Sequence, residues 1–130
     1  MKTLIVEDDF TSRLLLQELL KPHSEVHVAV NGREAVGAVR AALETGQRYD
    51  LICLDIMMPE MDGHEALQAI RDLELEHGIT PTAGARILMT TALDQSKNII
   101  RAFRSLCDAY LVKPIDKVKL LAHLHEFRLI

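Results

Sequence analysis

The chain has little of what a nucleic-acid binder, a secreted scaffold or a membrane protein requires. Its 15 Lys and Arg are scattered among 19 Asp and Glu, for a formal net charge of -4, so no basic face for nucleic acid is expected. Its two cysteines, Cys53 and Cys107, lie far apart in apolar contexts. They read as reduced core residues rather than a disulfide framework. No apolar run approaches the ~20 residues of a membrane span. Met1-Lys2-Thr3 leads into a short apolar run broken by Glu7, which is not the pattern of a signal peptide. A cytoplasmic location is expected. Gly32 and Gly37 do not make a glycine-rich phosphate loop. The histidines form no ligand set: His123 and His125 are two apart on a predicted helix and point away from each other, and His23, His27, His64 and His77 are isolated. Repeats, low-complexity tracts and linkers are also lacking.

What is present is 130 residues, 48% of them hydrophobic, which fits one domain over 1–130 with a real core and no second domain. Short β-rich runs alternate with helical stretches. Strands are predicted over Thr3–Val6, Glu25–Val30, Leu51–Leu54, Arg86–Thr90 and Ala109–Val112. They are mostly apolar on both faces, as in a parallel sheet covered on both sides. Helices are predicted over Thr11–Lys21, Gly32–Thr45, Asp62–Glu76, Asp94–Ser105 and Asp116–Phe127, each with apolar residues at helical spacing. A (βα)5 order with right-handed crossovers gives an α/β doubly wound sheet, with two helices on one face and three on the other.

Functional groups in such a sheet gather beyond the carboxyl ends of the strands. Asp8 and Asp9 follow the first predicted strand, Asp55 the third, Thr91 the fourth and Lys113 the fifth. Carboxylates from two strand ends in one pocket repel each other unless a cation fills it or one member keeps its proton. A divalent metal satisfies that need, and a metal beside a carboxylate is a setting for phosphoryl chemistry. Each residue taken singly has a plainer reading: Asp8-Asp9 as helix N-caps, Asp55 as the start of a polar loop, Thr91 as a strand end, Lys113-Pro114 as a solvated turn. The ordered set is what favours a site.

The segments LIVEDDF, YDLICLDIMMPEMDG, ILMTTA and DAYLVKP resemble the four signatures of response-regulator receiver domains of two-component signalling, across essentially the whole chain. The resemblance implies a flavodoxin-like fold with strand order 2-1-3-4-5. It implies Asp55 as phosphoacceptor, becoming an aspartyl phosphate. Mg2+, with Mn2+ as substitute, would be held by Asp9, Asp55 and the backbone carbonyl of Met57, with Asp8 reaching it through water. Lys113 would neutralise phosphoryl oxygens, and its bond to Pro114 would be cis. Thr91 and Tyr110 would form the switch, altering the face of the fourth helix, fifth strand and fifth helix. The implied partners are a sensor histidine kinase or a histidine phosphotransfer protein, plus a downstream target of unknown identity. A homodimer through that same face is a further expectation, with Asp108, Lys117 and Lys119 as pair-formers.

Met57 and Leu93 stand two residues after Asp55 and Thr91, where apolar side chains cannot orient water, so a long-lived phosphoryl group is expected. Leu106-Cys107 replaces a usual Gly-Ala pair, and Arg86 a common proline. Two other readings compete. A Mg2+-dependent phosphatase with an aspartyl nucleophile would place that nucleophile after the first strand in a DxD arrangement, which Asp8-Asp9 does not supply. A degenerate receiver used only for docking or dimerisation conflicts with the intact five-residue set. The chain is therefore expected not to be an enzyme beyond catalysing its own phosphorylation and dephosphorylation.

Overall fold

The computed structural model describes residues 1–58, 60–92 and 106–130. Five strands, β1 (Lys2–Val6), β2 (Glu25–Ala29), β3 (Leu51–Asp55), β4 (Arg86–Thr91) and β5 (Ala109–Val112), form one sheet in the order β2-β1-β3-β4-β5. All four pairings are parallel. The flavodoxin-like order implied by the sequence motifs is the order observed. Among the described residues the helices are α1 (Phe10–Leu20), α2 (Gly32–Glu44), α3 (Gly63–Glu76) and a C-terminal helix (Lys117–Glu126). The helix expected over Asp94–Ser105 lies outside the described residues.

Alternation along the strands divides the core in two. Leu4, Val6, Ile52, Leu54, Ile87 and Met89 face α2 and α3, which contribute Ala35, Val39, Ala66, Leu67 and Ile70. Ile5, Cys53, Leu88 and Leu111 face α1 and the C-terminal helix, which contribute Leu16, Leu20, Leu120 and Leu124. Each fully buried Leu or Ile stabilises the fold by ~1.5–3 kcal/mol relative to exposure. This two-sided burial is why the strands read as continuous apolar runs. Among the described helices, two pack on each face.

Every described helix starts on a polar cap. Asp9, Asn31, Asp62 and Asp116 each accept a backbone N–H from the first turn. Glu34 adds a reciprocal contact, its Oε1 accepting the Val30 N–H at 2.9 Å. Beyond α2 and α3 the chain reverses at Gly46 and Gly78, with φ of 72° and 74°. Both cysteines are free, and burial pushes the Cys53 thiol up to about 12, so it serves as an apolar core residue.

Parallel register brings the strand ends to one edge. Val6 lies beside Leu54, Asp55 beside Thr90, and Thr91 beside Val112. The residues that follow these positions therefore converge beyond the same rim.

Candidate phosphoacceptor site

β1 does not release the chain at Val6. The Glu7 N–H donates to the Ala29 carbonyl at 3.0 Å, so the ladder continues one residue and Glu7 is 0% exposed. Arg13, one turn into α1, donates to the Glu7 carbonyl at 3.2 Å and holds this corner. Carboxylate oxygens of Glu7, Asp8 and Asp55 all lie within 4.8 Å of one another. Asp8 is the exposed member, while Asp55 closes β3 at 4% exposure.

The acidic set differs from the expected one by a residue. Asp9, expected as a direct metal ligand, is not in the cluster. Its carboxylate accepts the Ser12 N–H at 2.9 Å and caps α1. Hydrogen bonds from Ser12, backbone first, hold its carboxyl below the ordinary value. Glu7 occupies the inner position instead. The strand extends through Glu7, which turns that side chain inward and leaves Asp9 at the helix start. The signal available in the sequence was Asp9 itself, an N-cap residue type directly before the helix.

Lys113 enters from the end of β5. Its backbone N–H donates to the Thr91 carbonyl at 2.7 Å, and the Lys113–Pro114 peptide is cis, as the motif resemblance implied. The ammonium Nζ lies 2.5 Å from Glu7 Oε1 and 3.4 Å from Asp55 Oδ1. Burial opposes that charge, but the Glu7 hydrogen bond and the Asp55 and Glu7 carboxylates outweigh it and raise the Lys113 pKa. Asp55 experiences the opposite balance. Desolvation first, then the hydrogen bond and charge of Glu7, push its carboxyl up to about 7. Lys113 and the Met57 N–H, 3.3 Å from Asp55 Oδ1, offset this only in part.

Thr91 is buried, and its hydroxyl donates to the Ala92 carbonyl at 3.2 Å. Met57 is 54% exposed beside Asp55. Tyr110 is 46% exposed and lines a groove on β5 with Lys119 and His123. Leu93, the other expected lifetime residue, lies outside the described residues. Asp108, expected as an interchain pair-former, is occupied within the chain. Its carboxylate pairs with Arg71 at 3.1 Å and Arg86 at 3.2 Å and accepts the Ile87 N–H at 2.8 Å.

Gly63 is a site residue that the sequence suggested only as part of a turn. A Cβ there would lie 2.4 Å from the Asp55 carbonyl oxygen and 2.7 Å from Ile56 Cα. The Gly63 N–H donates to the Ile56 carbonyl at 2.9 Å, so α3 begins pressed against the strand that carries Asp55.

A buried carboxylate thus stands at the carboxyl edge of a flavodoxin-like 2-1-3-4-5 sheet, flanked by two acids, a lysine and a threonine. The chain belongs to the response regulator receiver domain family, whose model matches residues 3–125. The transcriptional regulatory protein SrrA of Staphylococcus aureus is 40% identical over 114 residues, covering 87% of this chain and 42% of that protein. The chain thus spans less than half the length of that relative. The receiver domain of the histidine kinase CKI1 from Arabidopsis thaliana, complexed with Mg2+ and BeF3-, is 29% identical with a TM-score of 0.81 over 98% of this chain and 89% of that one. The receiver domain of Ssk1, in a co-crystal with the Saccharomyces cerevisiae phosphotransfer protein Ypd1, belongs to a structure matched at 29% identity and TM-score 0.80, over 98% and 88% of the chains. No described helix is long and apolar enough to cross a membrane.

Proposed function

We propose that the chain accepts a phosphoryl group on Asp55 from a histidine kinase or a histidine phosphotransfer protein, and that the phosphorylated form changes its binding to a partner or passes the group on. The observation that carries this reading is the convergence of Glu7, Asp8, Asp55 and Lys113 at one strand edge. Three carboxylates with hard oxygen donors suit Mg2+ or Mn2+, and burial first, then the neighbouring Glu7, raise the Asp55 pKa, so its charged form gains from a bound cation. Glu7, Asp8, Asp55 and the Met57 carbonyl would hold the ion. When bound, it neutralises charge on the carboxylates and on phosphoryl oxygens.

The chain's own residues supply the rest. A carboxylate oxygen of Asp55 attacks phosphorus, and the donor's bond to phosphorus breaks as the aspartyl phosphate forms. Lys113, already 3.4 Å from Asp55, provides a compact cation for the phosphoryl oxygens. Thr91 exchanges its weak contact with the Ala92 carbonyl for a hydrogen bond to the charged group, which contributes ~1.5–3 kcal/mol. That is enough to bias a two-state segment by about ten- to a hundredfold. Tyr110, on the strand that leads to Lys113, would report the change at the exposed β5 groove. The co-crystal of Ypd1 with Ssk1 supports a phosphotransfer protein as one class of donor.

The test is intact mass after incubation with acetyl phosphate and Mg2+. One added phosphoryl group in the wild-type chain and none in Asp55→Asn is expected. Steady turnover of small phosphate esters would instead support a phosphatase. No modification, and no change with beryllofluoride and Mg2+, would support a docking module.

A further inference from the structure

β2 ends the sheet, and no described strand pairs with its outer edge. The Glu25 N–H donates to the Met1 carbonyl at 2.9 Å, and the Ala29 carbonyl accepts the Glu7 N–H at 3.0 Å. Glu25, His27 and Ala29 therefore serve β1, and the N–H and C=O groups of Val26 and Val28 point outward. An open edge is a template for another strand, and proteins blunt it with lysine, proline or a bulge. β2 reads Glu-Val-His-Val-Ala in unbroken register and has none of these. Only its far end is closed, where Glu34 Oε1 accepts the Val30 N–H.

The side chains along this edge are apolar as well. Phe10, Leu14, Val28 and Val30 are all exposed. Phe10, Leu14, Gln17 and Lys21 recur at helical spacing, so one stripe of α1 borders β2. Toward the start of β2 that stripe bounds a groove of about 300 Å3, lined by Leu14, Gln17, Glu18, Lys21, Ser24 and Val26. Val30 projects at the other end of the strand. A surface with a projection at one end and a groove at the other is complementary to a copy of itself turned end for end.

We propose that β2 pairs antiparallel with β2 of a second copy, about a twofold axis at His27, joining the two sheets edge to edge. That register is the one that uses both open residues. Val26 stands opposite the partner's Val28, and each such pair exchanges N–H···O=C bonds in both directions. Val30 stands opposite the partner's Ser24 and so meets the groove. The charges choose the direction. Glu34 holds its carboxylate at Val30, while Lys21 lines the groove beside Ser24. Neither has an ion-pair partner among the described residues. Antiparallel pairing brings each Lys21 to the partner's Glu34, whereas parallel pairing would set Glu34 against Glu34. On the other face Glu25 stands opposite Ala29 and His27 opposite its own copy, so the acids do not meet. The motif resemblance pointed instead to the β5 side, where Asp108 is occupied within the chain. The pairing goes beyond the function proposed above. It needs neither metal nor phosphoryl group, since β2 lies at the opposite end of the strand order from β5.

Sedimentation equilibrium of the full chain, unphosphorylated and in chelator, should show a reversible monomer–dimer equilibrium. A chain that stays monomeric up to its solubility limit leaves the edge to some other strand and overturns the proposal. Hydrogen exchange on wild type locates the contact. The Val26 and Val28 amides should slow by about tenfold from dilute to concentrated protein, while the amides of β5 keep their rates. A dimer that leaves the β2 amides unprotected overturns the proposal. Val28→Lys adds the charge that blunts natural edges and should abolish the dimer with little change in melting temperature. Lys21→Glu and Glu34→Lys should each weaken the dimer by about tenfold, and the two together should restore it. Glu34→Lys also gives up the Val30 contact, so restoration in the double variant is the decisive reading. A double variant weaker than either single one overturns the antiparallel register.

Discussion

Gly63 rests directly on the backbone of Asp55, with its missing Cβ position 2.4 Å from the Asp55 carbonyl oxygen. A side chain there meets backbone atoms, which cannot rotate away. Gly63→Ala should therefore push the start of α3 off β3. Overpacking of this kind costs about 1–3 kcal/mol. The larger effect falls on the site, because Asp55 and Met57 are displaced together. Phosphorylation by acetyl phosphate should slow much more than stability falls. A Gly63→Ala chain with wild-type phosphorylation kinetics would show that the contact does not position the site.

The raised Asp55 pKa predicts a pH-dependent stability. In the unfolded chain the carboxyl titrates near ~3.9, while in the metal-free fold it is pushed up to about 7. Between those values the folded state holds the extra proton, so this group's contribution to stability falls as pH rises, and its penalty is complete above pH 7. Asp55→Asn removes the penalty, by an upper bound of about 4 kcal/mol at a shift of roughly three pKa units. Urea unfolding in chelator should show Asp55→Asn gaining on wild type between pH 5 and pH 8. A difference between the two that does not change with pH would refute the assignment. By the same sign, Mg2+ must displace a proton from Asp55 at low pH, and its affinity should weaken as pH drops below 7.

Much of this was legible in the sequence because burial on both faces leaves apolar runs that end in polar residues. Glu25–Val30 and Leu51–Leu54 were each placed within a residue of the observed strands. The site residues Asp55, Thr91 and Lys113 stand at strand ends for the same reason. Legibility failed where one residue of strand length decides a direction. Glu7-Asp8-Asp9 offers three adjacent carboxylates, and only the Glu7–Ala29 hydrogen bond shows that the first of them turns inward. It also failed for contacts between distant segments. Nothing in the sequence pairs Lys113 with Glu7, or reveals that Asp108 is held by Arg71 and Arg86.

Arg71 is the centre of that second network, at the opposite edge of the sheet from Asp55. Its guanidinium pairs with Glu74 at 2.7 Å and Asp108 at 3.1 Å and donates to the Ala85 and Leu106 carbonyls at 2.9 and 2.8 Å. Glu74 in turn accepts the Ala85 N–H at 2.7 Å, so the pair latches the loop before β4 to α3. Removing one partner of such a buried pair leaves the other uncompensated and costs about 3–5 kcal/mol. Arg71→Met should lower stability by about that amount, at the lower end because Asp108 keeps some solvent contact. Arg71→Met with Glu74→Leu should cost less than the sum of the single changes. Strict additivity in a double-mutant cycle would mean that the two charges do not act as a pair.

Met57 bears on how long the phosphoryl group survives. Its side chain is 54% exposed next to Asp55, yet it carries no donor or acceptor able to aim a water at phosphorus. Its backbone N–H already holds Asp55 Oδ1 at 3.3 Å, so a substitution at the side chain leaves that contact in place. Met57→Asn adds an amide that can orient water, and Leu93→Glu adds a carboxylate at the corresponding position after Thr91. Each should speed loss of the phosphoryl group by up to about tenfold, equivalent to ~1.4 kcal/mol off the barrier. The measurement is the decay of phosphorylated protein after the donor is removed, with Mg2+ present. Equal, fast decay in wild type and both variants would mean that access of water is set elsewhere than at these two positions.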